Sequence, residues 1–326
     1  MRELKVSASD EGIRLNKLAA RYLNAAPQSF IYKMLRKKNI VLNDKKASGD
    51  ERLKAGDSVK LYLSEETIEG FIKKAPEPTV KKAAGKLHIL FENEDILAVS
   101  KPAGLLTQKA KKDDHSLNDE LLEYYAKSGR KAEPGFKPSV ANRLDRNTTG
   151  IVLCGISPAG SRRLAAALKE HTLKKYYFTI CHGKISKKIT VDAYIKRDGL
   201  VSKVRKTDGA DDGEHVVTHF YPIDNKGGYS LIKAELETGK THQIRASLKS
   251  IGLPIVGDAK YGSPAEDIAI ARTCGIKGHL LHAGILIVPK GVFDDEEHVI
   301  IDGLPKGFRE LAERLSLDIK KQPEEA

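Results

Sequence analysis

A chain of 326 residues is long enough for two or three domains, at least one with a sizeable core, and 40% hydrophobic residues with 13 Pro fit an ordinary soluble protein. Three widely spaced cysteines, Cys154, Cys181 and Cys274, form no CxxC pair and support neither a disulfide framework nor a structural zinc site. The formal net charge of +12 is uneven: residues 1–63 hold 14 Lys and Arg against 7 Asp and Glu, and a segment that basic points to a polyanion partner.

The opening MRELKVSASDEG has no apolar signal region. The longest apolar stretch, 280–288, is interrupted by His282 and is too short to span a bilayer, so a cytoplasmic protein without a membrane partner is expected. Leu15, Leu18, Ala19, Tyr22 and Leu23 recur at helical spacing, with Arg14, Lys17 and Arg21 on the opposite face. After Pro27, Ser29 is placed to cap a second helix whose apolar residues are Phe30, Ile31, Met34 and Leu35. That helix ends in Arg36-Lys37-Lys38, a cluster suited both to the terminal carbonyls and to phosphates. A short strand over 40–42, a turn at Asn43-Asp44 and an alternating strand over 58–63 complete the segment.

This order of helix, basic helix, VLND turn and AGDSVKLYL resembles an S4 RNA-binding domain over about residues 12–63. The resemblance implies that residues 1–63 are a small α/β domain touching RNA phosphates through Arg14, Lys17, Arg21, Arg36, Lys37 and Lys38. Residues 64–85, with Pro76, Pro78 and paired lysines, read as a flexible linker.

From residue 86 the pattern changes. Strands over 87–91 and 96–99 flank a hairpin turn, and Lys101-Pro102-Ala103-Gly104 closes the second. A buried-type strand over 150–155 and a helix over 159–169 follow, then alternating strands over 176–181 and 229–236. The helix expected over 241–251 keeps Ile244, Leu248 and Ile251 on one face and ends at Gly252. Many strands with few, irregularly placed helices predict an α+β domain over 86–305, built on a mixed or antiparallel sheet. A charged helix and tail occupy 306–326, with QPEEA expected to lack order.

Four segments set charged residues beside apolar strands. Asp145 lies in Arg143-Leu144-Asp145-Arg146-Asn147-Thr148-Thr149-Gly150, and Lys175 and Tyr177 share one strand face. His242 and Arg245, three apart, open a helix, and Leu281-His282-Ala283 opens the apolar strand. Taken singly these are turn chemistry, surface ion pairs and rim residues. His242, His279 and His282 lack metal-ligand spacing, so no metal is expected, and neither a GxGxxG nor a P-loop Lys signals a cofactor.

Together, ILFENEDILAVSKPAG, NRLDRNTTG, LKKYYFTICHG, ETGKTHQIRASLKSIGLPIVGDAKYG and LLHAGI resemble the RluA-type pseudouridine synthases, in the family's order over roughly 87–290. The S4-like segment fits the branch acting on large-subunit (23S) ribosomal RNA. The resemblance implies that Asp145 is the catalytic nucleophile, Tyr177 the active-site Tyr and Arg245 the basic partner of the carboxylate. It implies that Arg143 helps hold the place of a flipped-out nucleotide. Asn142, Ser100 and Lys240 depart from the usual residues, which bears on target choice rather than chemistry. Isomerising uridine involves no redox change or group donor, so no cofactor is required; the reaction needs an ionised nucleophile in a water-poor pocket. The competing readings are a tRNA target and a non-catalytic, RNA-binding ribosome assembly factor, with a metal nuclease or zinc deaminase further off. A monomer is the default expectation.

Overall fold

The computed structural model describes residues 1–6, 10–72, 87–130, 136–198, 201–205 and 213–321. The chain divides into two units: Met1–Gly85 with Leu122–Pro138 and Ile156–Ala159, and Lys86–Leu121 with Ser139–Gly155 and Gly160–Ala326.

In the first unit, β1 (Arg2–Lys5) precedes helices α1 (Leu15–Tyr22) and α2 (Gln28–Arg36), then β2 (Ile40–Leu42), β3 (Lys45–Lys46), β4 (Ser58–Leu61) and α3 (Glu65–Phe71). The strands form an antiparallel sheet in the order β1-β4-β2-β3. Asn43 and Asp44 both take left-handed backbone angles, φ 48 and 61, as a two-residue hairpin turn requires. The core gathers Leu15, Leu18, Leu23, Ile31, Leu35 and Ile40 from the elements foreseen in the sequence, with Val59 and Leu61 from β4.

Two expectations change here. Ser29 does not cap α2, because the helix begins at Gln28 with Pro27 at the cap position and no side-chain bond there. The linker does not begin at residue 64. Ser64 Oγ accepts from the Thr67 N–H at 3.2 Å, Glu65 and Glu66 occupy the first turn, and Ile68 is fully buried in the unit's core. That helix brings three acidic residues, so 1–72 carries 14 basic against 10 acidic side chains. The rest of the expected linker, 73–86, lies outside the described residues.

From residue 87 the elements are β5 (His88–Glu92), β6 (Ile96–Lys101), α4 (Leu117–Lys127), β7 (Ser139–Val140), β8 (Thr149–Gly155), α5 (Pro158–Lys169) and β9 (Lys174–His182). Then come β10 (Ile189–Asp198), β11 (Val201–Arg205), β12 (Glu214–Lys226), β13 (Tyr229–Leu236), α6 (Gln243–Ser250), α7 (Ala265–Thr273), β14 (Leu281–Val288), β15 (His298–Ile301) and α8 (Lys306–Arg314). Eleven strands make one mixed sheet along β11-β10-β12-β13-β9-β14-β8-β6-β5, with β15 beside β14 and β7 beside β8. Among the described residues its pairs are antiparallel except β8 with β14, which run parallel at Thr149–His282 and Gly150–Ala283. The architecture is the α+β one expected.

Ile96, Ile151, Leu153, Leu164, Leu286 and Val288 pack one core of this unit, and Ile195, Val216, Ala246 and Tyr261 another under α6. All three cysteines are buried, with free thiols. Phe308 and Leu311 bury the inner face of α8; the tail 322–326, expected to lack order, lies outside the described residues.

Candidate active site

Between β7 and β8 the chain runs through a loop that its neighbours brace from several sides. Lys101 ends β6 fully buried, and its Nζ donates to the carbonyls of Pro102 and Leu105 at 2.9 Å and of Arg146 at 3.0 Å. Burial lowers its pKa to about 8, against the pull of Asp145. Thr107 donates its hydroxyl to the Leu144 carbonyl at 2.8 Å and accepts from the Leu144 N–H at 3.1 Å. Thr148 pairs with His279 Nε2 at 2.8 Å, and Thr149 with His282 Nδ1 at 2.9 Å.

On this loop Asp145 is half-buried in the wall of a cleft of about 980 Å³, which Arg143, Lys175, Tyr177, His242 and Arg245 also line. Arg245, in the first turn of α6, is only 5% exposed. Its Nη1 donates to Asp145 Oδ2 at 2.8 Å, while Nε and Nη2 donate to the two oxygens of Asp258 at 2.7 and 2.9 Å. The guanidinium lies 4.8 Å from the centroid of the Tyr261 ring. Burial works against this charge, but the bonds to Asp258 and then Asp145 outweigh it and raise the Arg245 pKa above its usual value. Asp145 Oδ1 accepts no hydrogen bond from the described residues, so one carboxylate oxygen is fixed and the other is available.

Tyr177 on β9 is 8% exposed, and burial, then the nearby Asp145, push its pKa up, so the phenol stays protonated. Lys175, on the same strand, has its pKa lowered by burial. Arg143 is exposed at the cleft. The four residues to which the resemblance gives roles in this unit, Arg143, Asp145, Tyr177 and Arg245, thus line one cleft.

Asp258, Tyr261 and Lys101 carry much of the geometry, yet none was assigned a role from the sequence. A signal for the first was present in GDAKYG. Gly257 at φ 80 lies so close to the Gly278 carbonyl that a Cβ would sit 2.4 Å from its oxygen, a sign of a constrained turn. Among the departures, Asn142 Oδ1 accepts from the Leu153 N–H at 2.7 Å. Ser100 donates its hydroxyl to Asp302 at 2.5 Å, and Lys240 pairs with Glu214 at 2.6 Å.

The basic residues expected to meet RNA lie in the first unit. Lys17, Arg36, Lys37 and Lys38 are exposed. Arg14 stands 3.3 Å from Asp50, both of them exposed. Arg21 is half-buried and donates to Asp10 at 2.6 Å, so its guanidinium is engaged within its own unit rather than presented with Arg14 and Lys17. Helical spacing alone placed all three on an open face; Asp10 reaches Arg21 from the segment ahead of the helix. Among the described residues, no group of three or more His, Cys, Asp or Glu is arranged to hold a metal ion. None of their helices is long and apolar enough to cross a membrane.

Residues 95–250 match the family of RNA pseudouridylate synthases. The chain is similar to "Ribosomal large subunit pseudouridine synthase C" of Rickettsia bellii, 31% identical over 87% of this chain and 92% of that protein. It is likewise similar to "Uncharacterized RNA pseudouridine synthase YlyB" of Bacillus subtilis, 28% identical over 97% and 99%. Among solved structures, "Human RNA Pseudouridylate Synthase Domain Containing 4" shares the fold, with a TM-score of 0.58 at 23% identity over 71% of this chain and 94% of that one.

Proposed function

Because this chain belongs to the RNA pseudouridylate synthase family and is an RNA pseudouridine synthase, we propose that Asp145 is its nucleophile and that its target is a uridine of large-subunit ribosomal RNA. The observation that carries the first part is the Asp258–Arg245–Asp145 clamp. Arg245 spends two of its donors on a buried carboxylate and one on Asp145 Oδ2, which fixes the side chain and leaves Oδ1 open to the cleft. The guanidinium bonded to Oδ2 sets the direction in which the carboxylate faces the cleft.

The reaction breaks the N1–C1′ bond and forms C5–C1′; the proton leaves C5 and N1 gains one, so atoms balance without a donor or an oxidant. Tyr177 enters as a protonated phenol, which suits it to pack against the base and donate a hydrogen bond rather than to act as a resting base. Arg143, exposed at the cleft, fills the gap left when the uridine leaves its stack, a step that costs about a few kcal/mol. Residues 1–72 act as an S4-like module that supplies phosphate contacts.

The rRNA target rests on the named activity of the Rickettsia relative and on the basic first unit. Mapping pseudouridines in a deletion strain tests it: a uridine left unmodified in tRNA alone would refute the target. For the nucleophile, Asp145→Asn is expected to abolish tritium release from RNA labelled at uridine C5 while leaving RNA affinity and melting temperature near wild type. Turnover within about tenfold of wild type would remove Asp145 from the role.

A further inference from the structure

His242 lines the cleft beside Asp145 and takes no part in the Asp258–Arg245–Asp145 clamp. It precedes α6 with φ 60 and ψ 18, a left-handed conformation that strains a residue bearing a side chain and persists where the surroundings impose it. The imidazole meets the Tyr261 ring edge to face at 5.6 Å, and its Nδ1 lies 2.9 Å from the Tyr261 hydroxyl. The opposite nitrogen, Nε2, is 3.7 Å from Asp145 Oδ2, too far for a hydrogen bond.

The Tyr261 hydroxyl determines which nitrogen carries the proton. Tyr261 is buried, and its oxygen already accepts from the Ser202 N–H at 2.7 Å. A buried hydroxyl hydrogen needs an acceptor: the Ser202 side chain also lies beside this oxygen but gives its own hydrogen to the Thr241 carbonyl at 3.0 Å, and His242 Nδ1 stands 2.9 Å away. Tyr261 therefore donates to Nδ1, which must be bare, and a neutral imidazole then holds its proton on Nε2. A second proton is disfavoured: burial lowers the His242 pKa, Arg245 and Lys260 add to that, and Asp145 and Asp258 only partly oppose it. The result is an N–H donor beside the carboxylate with no acceptor of its own among the described residues.

We propose that His242 is a substrate-contacting residue, locked by Tyr261 in the Nε2–H tautomer, whose N–H receives an acceptor oxygen of the target nucleoside, a uracil carbonyl or the ribose hydroxyl. The proposal rests on Asp145 being the nucleophile, since that places the nucleoside within reach of Nε2. Tyr261 is a positioning residue with two separable parts: its ring lies under Arg245, and its hydroxyl orients His242.

Nitrogen NMR of the wild-type enzyme is expected to show His242 protonated at Nε2 and bare at Nδ1, a preference that Tyr261→Phe relaxes. Single-turnover rates on RNAs carrying 2-thiouridine, 4-thiouridine or 2′-deoxyuridine at the target then identify the oxygen. One of the three should be slower by about tenfold in wild type, the thio RNAs reporting a base carbonyl and the deoxy RNA the ribose. His242→Phe should be slowed about as much on ordinary RNA and lose nothing further on that one analogue, and His242→Gln, which retains an amide donor, should recover part of the rate. A purely structural role would slow all the RNAs alike. Protonation at Nδ1 in wild type, or additive losses on every analogue, overturns the proposal. An active Asp145→Asn would instead sink the nucleophile assignment. An inactive Asp145→Asn with a fully active His242→Phe would sink only this inference.

Discussion

His279 is 6% exposed, is bonded to Thr148, and has its pKa lowered to about 4, first by burial and then by the charge of Arg245. An unfolded chain would take up a proton on this residue near its ordinary value of 6.5. Between those values the unfolded state binds more protons, so stability falls as pH drops from 6.5 towards 4 and levels off below. The full contribution is roughly 3 kcal/mol. Urea midpoints measured across this window should therefore decline for wild type and decline less for His279→Gln; equal slopes would disprove the shift. His282, with its pKa also lowered by burial, adds a decline of the same sign in both proteins. At this scale the motifs around Asp145 and Arg245 are local and legible in the sequence, and the structure brings the two side chains within 2.8 Å. The sequence assigned Asp258 and Lys101 no role, because their importance lies in partners: Asp258 holds Arg245 by both oxygens, and Lys101 reaches the Arg146 carbonyl from 45 residues away.

β8 and β14 pair in parallel, and Gly150 sits at that seam with φ 114. A Cβ there would stand 2.2 Å from the Ala283 carbonyl oxygen, so neither the backbone angle nor the space admits a side chain. Gly150→Ala should cost about 3 kcal/mol or more through strain and overpacking, read as a lowered urea midpoint. It should also reduce isomerisation, since Asp145 lies five residues upstream on the loop feeding the strand. A variant with wild-type stability would show that the seam can open. Elements with clear periodicity or strong turns were legible beforehand: α1 begins at Leu15 and β13 runs from Tyr229 to Leu236, as the spacing indicated. β10, β11 and β12 were not foreseen. Pro222 interrupts the apolar pattern of β12, and the structure absorbs it in a register shift between Pro222 and Asp224. α3 was missed although Ser64, Glu65 and Glu66 form a helix start, because the paired lysines and prolines after it dominated the reading.

Across the whole molecule, positive charge and chemistry occupy different stretches of chain. Arg36, Lys37 and Lys38 are exposed at the end of α2, whereas the clamp residues all lie beyond residue 140. Replacing the three with Gln should lower the slope of log affinity against log salt by about two units and leave single-turnover isomerisation intact at saturating enzyme. An unchanged slope would mean that they touch no phosphates. The thiols give the folded state a second global signature. Cys154 lies on β8 and Cys181 on β9, and burial raises the first to about 12 and the second further, so neither forms thiolate at neutral pH. Cys274 is buried beside them in kind, at the end of α7. Alkylating reagents should therefore find no target while the sheet is closed and three once it opens. The rate of modification becomes a built-in clock for opening of the catalytic unit: mass spectrometry should show it slowing when RNA is bound and quickening in Gly150→Ala.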